Sequence, residues 1–136
     1  MRKLSAIIFI LFLFNLLSAQ ETVEISDLVV QQFETNLFTI TVEVTNSTSR
    51  EISEIAGYID IYDNSNRIVK KEFVQIQHVH DIPLCPHESK SDSVVIDRRP
   101  NMSGTANYRI THLRFFGEQS VYMVCPNCGE IILKDE

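Results

Sequence analysis

From Leu37 to Thr45 the chain alternates without a break: Phe38, Ile40, Val42 and Val44 fall on one parity, Thr39, Thr41, Glu43 and Thr45 on the other. A period of two sends the first set into a core and the second into water, and β-branched residues suit such a pleated surface. Further strands are expected over Val23–Gln32, Ile55–Asp63, Ile68–Val79, Ser89–Asp97, Ala106–Phe116 and Ser120–Val124. In the second of these, Ile55, Gly57, Ile59 and Ile61 share one face, and Tyr58, Asp60 and Tyr62 the other. In Ile68–Val79 neither parity is cleanly apolar, which predicts a long, kinked strand. Val94 and Ile96 are set against Asp92 and the serines in the next. Ala106, Tyr108 and Ile110 share a parity that Leu113 and Phe115 abandon, which predicts a β-bulge near Thr111 and His112.

Polar breaks separate these runs. Asn46–Arg50 is a turn, and Asp63–Asn66 a tight one, since Asn and Asp tolerate left-handed backbone angles. Pro83 and Pro86 bracket a loop, and Pro100–Gly104 forms another. No window sustains helical periodicity. Seven short antiparallel strands with regular turns predict an all-β fold, a two-sheet immunoglobulin-like sandwich joined by Greek-key connections.

The first residues read differently. Arg2 and Lys3 precede an apolar run from Ile7 to Phe14 and Leu16–Leu17, and the small residues Ser18 and Ala19 stand before Gln20. That order is a secretory signal peptide over residues 1–19, leaving one domain over residues 20–136. The run falls short of the ~20 apolar residues of a membrane span, so no span is expected after cleavage. The remaining 117 residues (136 − 19) carry 10 basic and 18 acidic side chains, a formal charge of −8. No basic patch is there to replace the counterions of a nucleic acid or an anionic membrane, so a protein partner is expected.

One stretch is more specific. Ile59-Asp60-Ile61-Tyr62-Asp63, followed by Asn66 and Ile68-Val69, resembles the signature of the FxLYD family of immunoglobulin-like domains. Val44-Thr45-Asn46-Ser47-Thr48 is similar to that family's strand-ending Val-x-Asn-x-Ser/Thr. The resemblance covers about residues 37–97. Ile59 and Ile61 stand where the family has Phe and Leu, Asn66 where it has the turn glycine, and Pro86-His87-Glu88 where it has a proline-glycine step. The resemblance implies a non-catalytic binding or structural module of the cell envelope or extracellular space.

The chemically pointed residues are Cys85, Cys125 and Cys128. In an oxidising compartment thiols pair, and three leave one over, which could link two copies covalently. A bridge from Cys85 to either late cysteine closes a loop of about 40 residues and contributes about 3 to 4 kcal/mol by chain entropy. A Cys125–Cys128 bridge closes a very short one and is more easily reduced. The alternative is metal: Cys125-Pro126-Asn127-Cys128-Gly129 has the form of a zinc knuckle, which brings two of the four ligands of tetrahedral zinc. Cys85 and His87 could supply the others, with His78 and His80, two apart on a strand, as substitutes or a separate site. A C-x-x-C couple can also do thiol–disulfide chemistry, but no helix N-terminus is predicted there to activate it.

Remaining features point to structure. His80-Asp81 comes with no nucleophile elbow, and Ser89, Ser91 and Ser93 repeat as a solvated strand face does. Asp63–Asn66 lacks the glycine and glutamate of a calcium loop. Asn46 and Asn101 head triplets that accept glycans in a eukaryotic host. Tyr58, Asp60 and Tyr62 form an exposed-face row suited either to anchoring a partner or to covering the edge of the second sheet. No enzyme and no cofactor are expected, zinc being the alternative.

Overall fold

The computed structural model describes residues 21–34 and 36–134; the expected leader lies outside them. Eight strands follow in order: β1 Thr22–Phe33, β2 Leu37–Ser47, β3 Ile52–Asp63, β4 Ile68–Gln77, β5 Ser89–Asp97, β6 Met102–Phe115, β7 Tyr122–Val124 and β8 Ile131–Leu133. They form two antiparallel sheets, β1-β2-β5 and β4-β3-β6-β7-β8. The chain crosses between sheets after β2, β4 and β5 and stays within one at the β1–β2, β3–β4 and β6–β7 hairpins. This is the immunoglobulin-like sandwich, with the fourth strand paired to the third. The expected seven strands become eight because the chain after Cys125 turns back and pairs Ile131–Leu133 with β7.

The inner parity of β2 fills the core as its alternation predicts: Phe38, Ile40, Val42 and Val44 are all buried. From the other sheet they meet Ile52, Ile55, Ile59, Ile61, Tyr108, Ile110, Leu113 and Phe115. Ala56 pairs with His112 but Gly57 with Ile110, so Thr111 is the extra residue and the expected bulge stands there. It lets Tyr108 and Ile110, and after it Leu113 and Phe115, all face inward. Tyr108 takes its hydroxyl into the core and donates it to the Val74 carbonyl at 3.0 Å. Burial, then the Asp92 carboxylate, pushes that phenol far above its ordinary range. A second bulge, at Ser26, switches β1 from Val23 inward to Leu28 and Val30.

Two turns close on side chains. Asp63 Oδ1 accepts the backbone N–H groups of Ser65 and Arg67 at 2.8 and 2.9 Å, and Asn66 takes φ +59°. Asn therefore occupies a left-handed position that usually falls to Gly. At the end of β2 the Asn46 amide is buried; its Nδ2 donates to the carbonyls of Arg50 and Leu84, and its Oδ1 accepts from Thr48 N–H and Oγ1–H. The nitrogen that a glycan would need is already spent, so Asn46 is the clamp of this turn and no acceptor; Asn101 is exposed.

Three expectations change. β4 ends at Gln77, and residues 78–81 form a turn closed by Asp81 N–H to the His78 carbonyl, so His78 and His80 are not on a strand. Gln77 ends the strand because its buried side chain donates to the Ile82 carbonyl and accepts from Lys90. Asp92 shares the inner parity of Val94 and Ile96, opposite Val42, and stays hydrated at the open rim.

Candidate functional site

The outer face of the five-stranded sheet carries the large polar and aromatic side chains. On β3, outward alternation presents Tyr58, Asp60 and Tyr62 as expected, but the row is not uniformly exposed. Asp60 is 1% exposed, so it is no contact residue. Its cover comes from β6: Arg109 clamps the carboxylate with Nε on one oxygen and Nη2 on the other, the latter at 3.1 Å. A buried carboxylate needs such a charge-assisted fork to repay its desolvation. Tyr62 is half-buried.

Beside this pair, Tyr58 and Phe73 lie opposite each other on β3 and β4 and meet edge to face, their ring centroids 5.5 Å apart. They remain 39% and 55% exposed, the most open aromatic pair of the face. A shallow basin of about 350 Å³ opens next to them, lined by Glu54, Thr111, His112 and Lys134 as well as both rings. Glu54 is bonded on two sides, to His112 Nε2 at 3.1 Å and Gln75 Nε2 at 3.1 Å, while the buried Arg114 Nε stands 3.8 Å away without a hydrogen bond. Among the described residues the face thus carries Lys71, Arg109, Arg114 and Lys134 against Glu54 and Asp60, a cationic surplus on an acidic domain. Phe73, Arg109 and Lys134 escaped sequence reasoning. Phe73 had a signal, an aromatic on the parity opposite Val74 and Ile76; Arg109 had none, since its partner is 49 residues away.

The second constellation is the turn from β7 to β8. Gly129 at φ +73° lets the chain fold back, Gly129 N–H donates to the Cys125 carbonyl at 2.9 Å, and Cys125 N–H to the Glu130 carbonyl at 2.8 Å. Cys125 and Cys128 stand at the two ends of this turn. The Cys128 thiol, then the N–H groups of Asn127 and Cys128, hold Cys125 below the ordinary thiol range. Cys128 is held above it, chiefly by Cys125, against the Glu130 N–H that favours its thiolate. Cys125 is half-buried and Cys128 exposed. Both line a groove of about 420 Å³ between this turn and Thr22–Ile25 of β1.

Cys85 is elsewhere. It precedes β5, on the side of the sandwich where β4 and β5 meet, whereas the knuckle lies on the β1–β8 side. Its thiol faces the Glu51 carboxylate and the Pro83 carbonyl. Burial, then Glu88 and Glu51, pushes it up, away from the thiolate form. His87, at φ +68°, is exposed on the same loop. The fold therefore brings Cys125 to Cys128 but neither Cys85 nor His87 to them. All three thiols are free, and among the described residues no three His, Cys, Asp or Glu side chains gather around a common point. Asp81 turns to His78 N–H and Lys90, so it does not orient His80. Ser89 and Ser93 bond instead to Thr45 and Thr41 across the strands.

No protein-family profile matches the chain, and no curated protein does. Two solved structures are similar in outline. β-Glucosidase 3B from Thermotoga neapolitana, in complex with glucose, aligns over 85% of this chain at 18% identity with a TM-score of 0.44. This chain spans only 16% of that enzyme. An ApaA protein from Bordetella pertussis aligns over 83% of this chain and 85% of its own at 16% identity, with a TM-score of 0.42.

Proposed function

We propose that this chain is an exported, non-catalytic immunoglobulin-like module of the cell envelope or extracellular space, and that it binds a protein through the outer face of the five-stranded sheet. The observation that carries the reading is the solvent-open Tyr58–Phe73 pair beside the Asp60–Arg109 fork. Aromatic anchors set on a rigid sheet lose little entropy on docking, and interface energy concentrates in such residues. The cationic surplus around them selects an acidic partner surface with an apolar spot for the rings. The leader expected at residues 1–19 supports export. The FxLYD resemblance supports a binding role without catalysis.

The test is site-specific photo-cross-linking in the native host. A photoreactive phenylalanine analogue at position 73 should capture one protein that the same analogue at Thr41, on the opposite outer face, does not. With that protein purified, Tyr58→Ala and Phe73→Ala should each weaken binding by about 10-fold, as hot-spot truncations do. Equal capture from both faces, or binding indifferent to both substitutions, overturns the reading.

A further inference from the structure

The two sides of β6 are not alike. β3 accompanies the strand from Met102 to Phe115. On the other side β7 pairs with it at Leu113 alone, heads toward Thr111, and turns off at Cys125 to pair with β8 instead. Among the described residues, the eight from Ser103 to Ile110 therefore have no strand beyond them, about 26 Å of free edge.

Unpaired backbone groups along such an edge are a template for another strand, and proteins blunt their edges with charges and bulges. The other long edges of this sandwich are blunted in that way. β1 carries Glu24, Asp27 and a bulge, β4 the Lys70–Glu72 run, and β5 Lys90 and Asp92. Ser103–Tyr108 carries no charged side chain. Its inward positions are also small. A Cβ added at Gly104 would come no nearer than 4.0 Å to the Phe38 ring, and Ala106 packs on the core while staying half-buried. In β1, which faces β6 from the opposite sheet, Leu28 and Val30 are likewise only half-buried. Where β7 leaves, the groove of about 420 Å³ has Ile25, Ile110 and Val124 in its lining. The sandwich is thus open along one side, at backbone level and at core level together.

What fits is an extended backbone that takes up the free edge of β6 and brings large apolar side chains over Gly104 and Ala106. A second copy presenting the same edge would bring only Gly104 and Ala106 again and leave the space unfilled. We propose that Ser103–Ile110 accepts an extended segment of another protein, antiparallel to β6 along the line that β7 abandons, with apolar residues at alternate positions turned into the sandwich. This edge is separate from the aromatic face, and its test is independent of that reading.

The experiment uses residues 20–136 of the chain and, as probe, short linear peptides selected on the immobilised protein from a random displayed library. The selected peptides should alternate large apolar with polar residues. Binding of the best one should slow amide exchange in Ser103–Ile110 and leave the edges of β1, β4 and β5 unchanged. Alternate N–H groups of a strand point to opposite sides. N-methylation of every second peptide residue in one register should therefore weaken binding by about 10-fold or more, and in the other register leave it unchanged. Ala106→Phe, which fills the space from within, should weaken binding by about 10-fold, and Phe73→Ala should not change it. The N-methyl pair tests the proposal even where Ala106→Phe fails to fold. No selected peptide, protection on another edge, equal tolerance of both N-methyl registers, or binding lost in Phe73→Ala would each overturn the proposal. So would a dimer of the free protein in which the Ser103–Ile110 amides are already protected, which would give this edge to a second copy.

Discussion

The two outer faces of the sandwich are built to different specifications. On the three-stranded sheet the hydrogen-bonded cross-strand pairs are short hydroxyl contacts, one of them to a carboxylate: Thr41 with Ser93 at 2.8 Å, Thr45 with Ser89 at 2.7 Å, Ser26 with Glu43 at 2.9 Å. Each hydroxyl satisfies its neighbour, and a water could do the same. On the five-stranded sheet the pairs are large and interlocked: Tyr58 on Phe73, Asp60 under Arg109, Glu54 held by His112 and Gln75. A sheet exposed to water on one side needs only the first kind of face. The second kind restricts long side chains and buries a charge, and stability alone explains neither. This asymmetry is the physical content of assigning recognition to one face.

The largest blow to the five-stranded sheet would fall beneath that face. A Cβ at Gly57 would stand 2.0 Å from the Arg109 carbonyl oxygen and 3.0 Å from Ile110 Cα, both backbone atoms that cannot swing aside. Gly57→Ala should therefore force β3 from β6 beside the Thr111 bulge and destabilise the domain by about 3 to 5 kcal/mol, an overpacking effect at the upper end of single substitutions. Urea unfolding measures it; a loss under about 1 kcal/mol would mean that the two strands are not held at this separation.

Asp60→Ala comes next. Removing one member of a buried ion pair strands the other, at a loss of about 3 to 5 kcal/mol when both are enclosed. The Arg109 side chain is one-third exposed and can recover water, so about 2 kcal/mol is expected here. Adding Arg109→Leu should restore part of it, because the unpaired guanidinium is then gone. If Asp60→Ala alone were neutral, the fork would be ornamental and the contrast between the faces would shrink to the aromatic pair.

The alternation in Phe38–Val44 and the parity switch around Thr111 were legible because each is a local consequence of one side chain up, one down. The same rule put Asp60 on the outside, correctly, and then misjudged it as exposed. Burial on an outer face depends on what the next strand lays over it, and Arg109 belongs to a strand that sequence distance hides. β8 was missed because three residues, Ile131–Leu133, are too few to show a period. Proximity of Cys85 to the knuckle was a question of sheet order, which no spacing encodes. Asn46-Ser47-Thr48 shows the opposite failing: a glycan acceptor and a turn clamp require the same atoms, and only burial separates them.

The smallest expected effect sharpens the comparison most. Thr41→Val with Ser93→Ala deletes the shortest route to a functional three-stranded face while leaving its backbone ladder whole. The lost hydroxyl pair is solvent-facing, and its net contribution is about 0.5 kcal/mol, which the higher β-propensity of Val offsets in part. Stability should stay within about 0.5 kcal/mol of the parent, as for most surface changes, and binding of the partner captured at position 73 should be unchanged. The double variant is also a control on folding, since it alters the central strand of one sheet as Gly57→Ala alters an interior strand of the other. A loss of binding from this side, with the melting curve intact, would place a contact on the face whose side chains ask for none, and the two faces would then share the work.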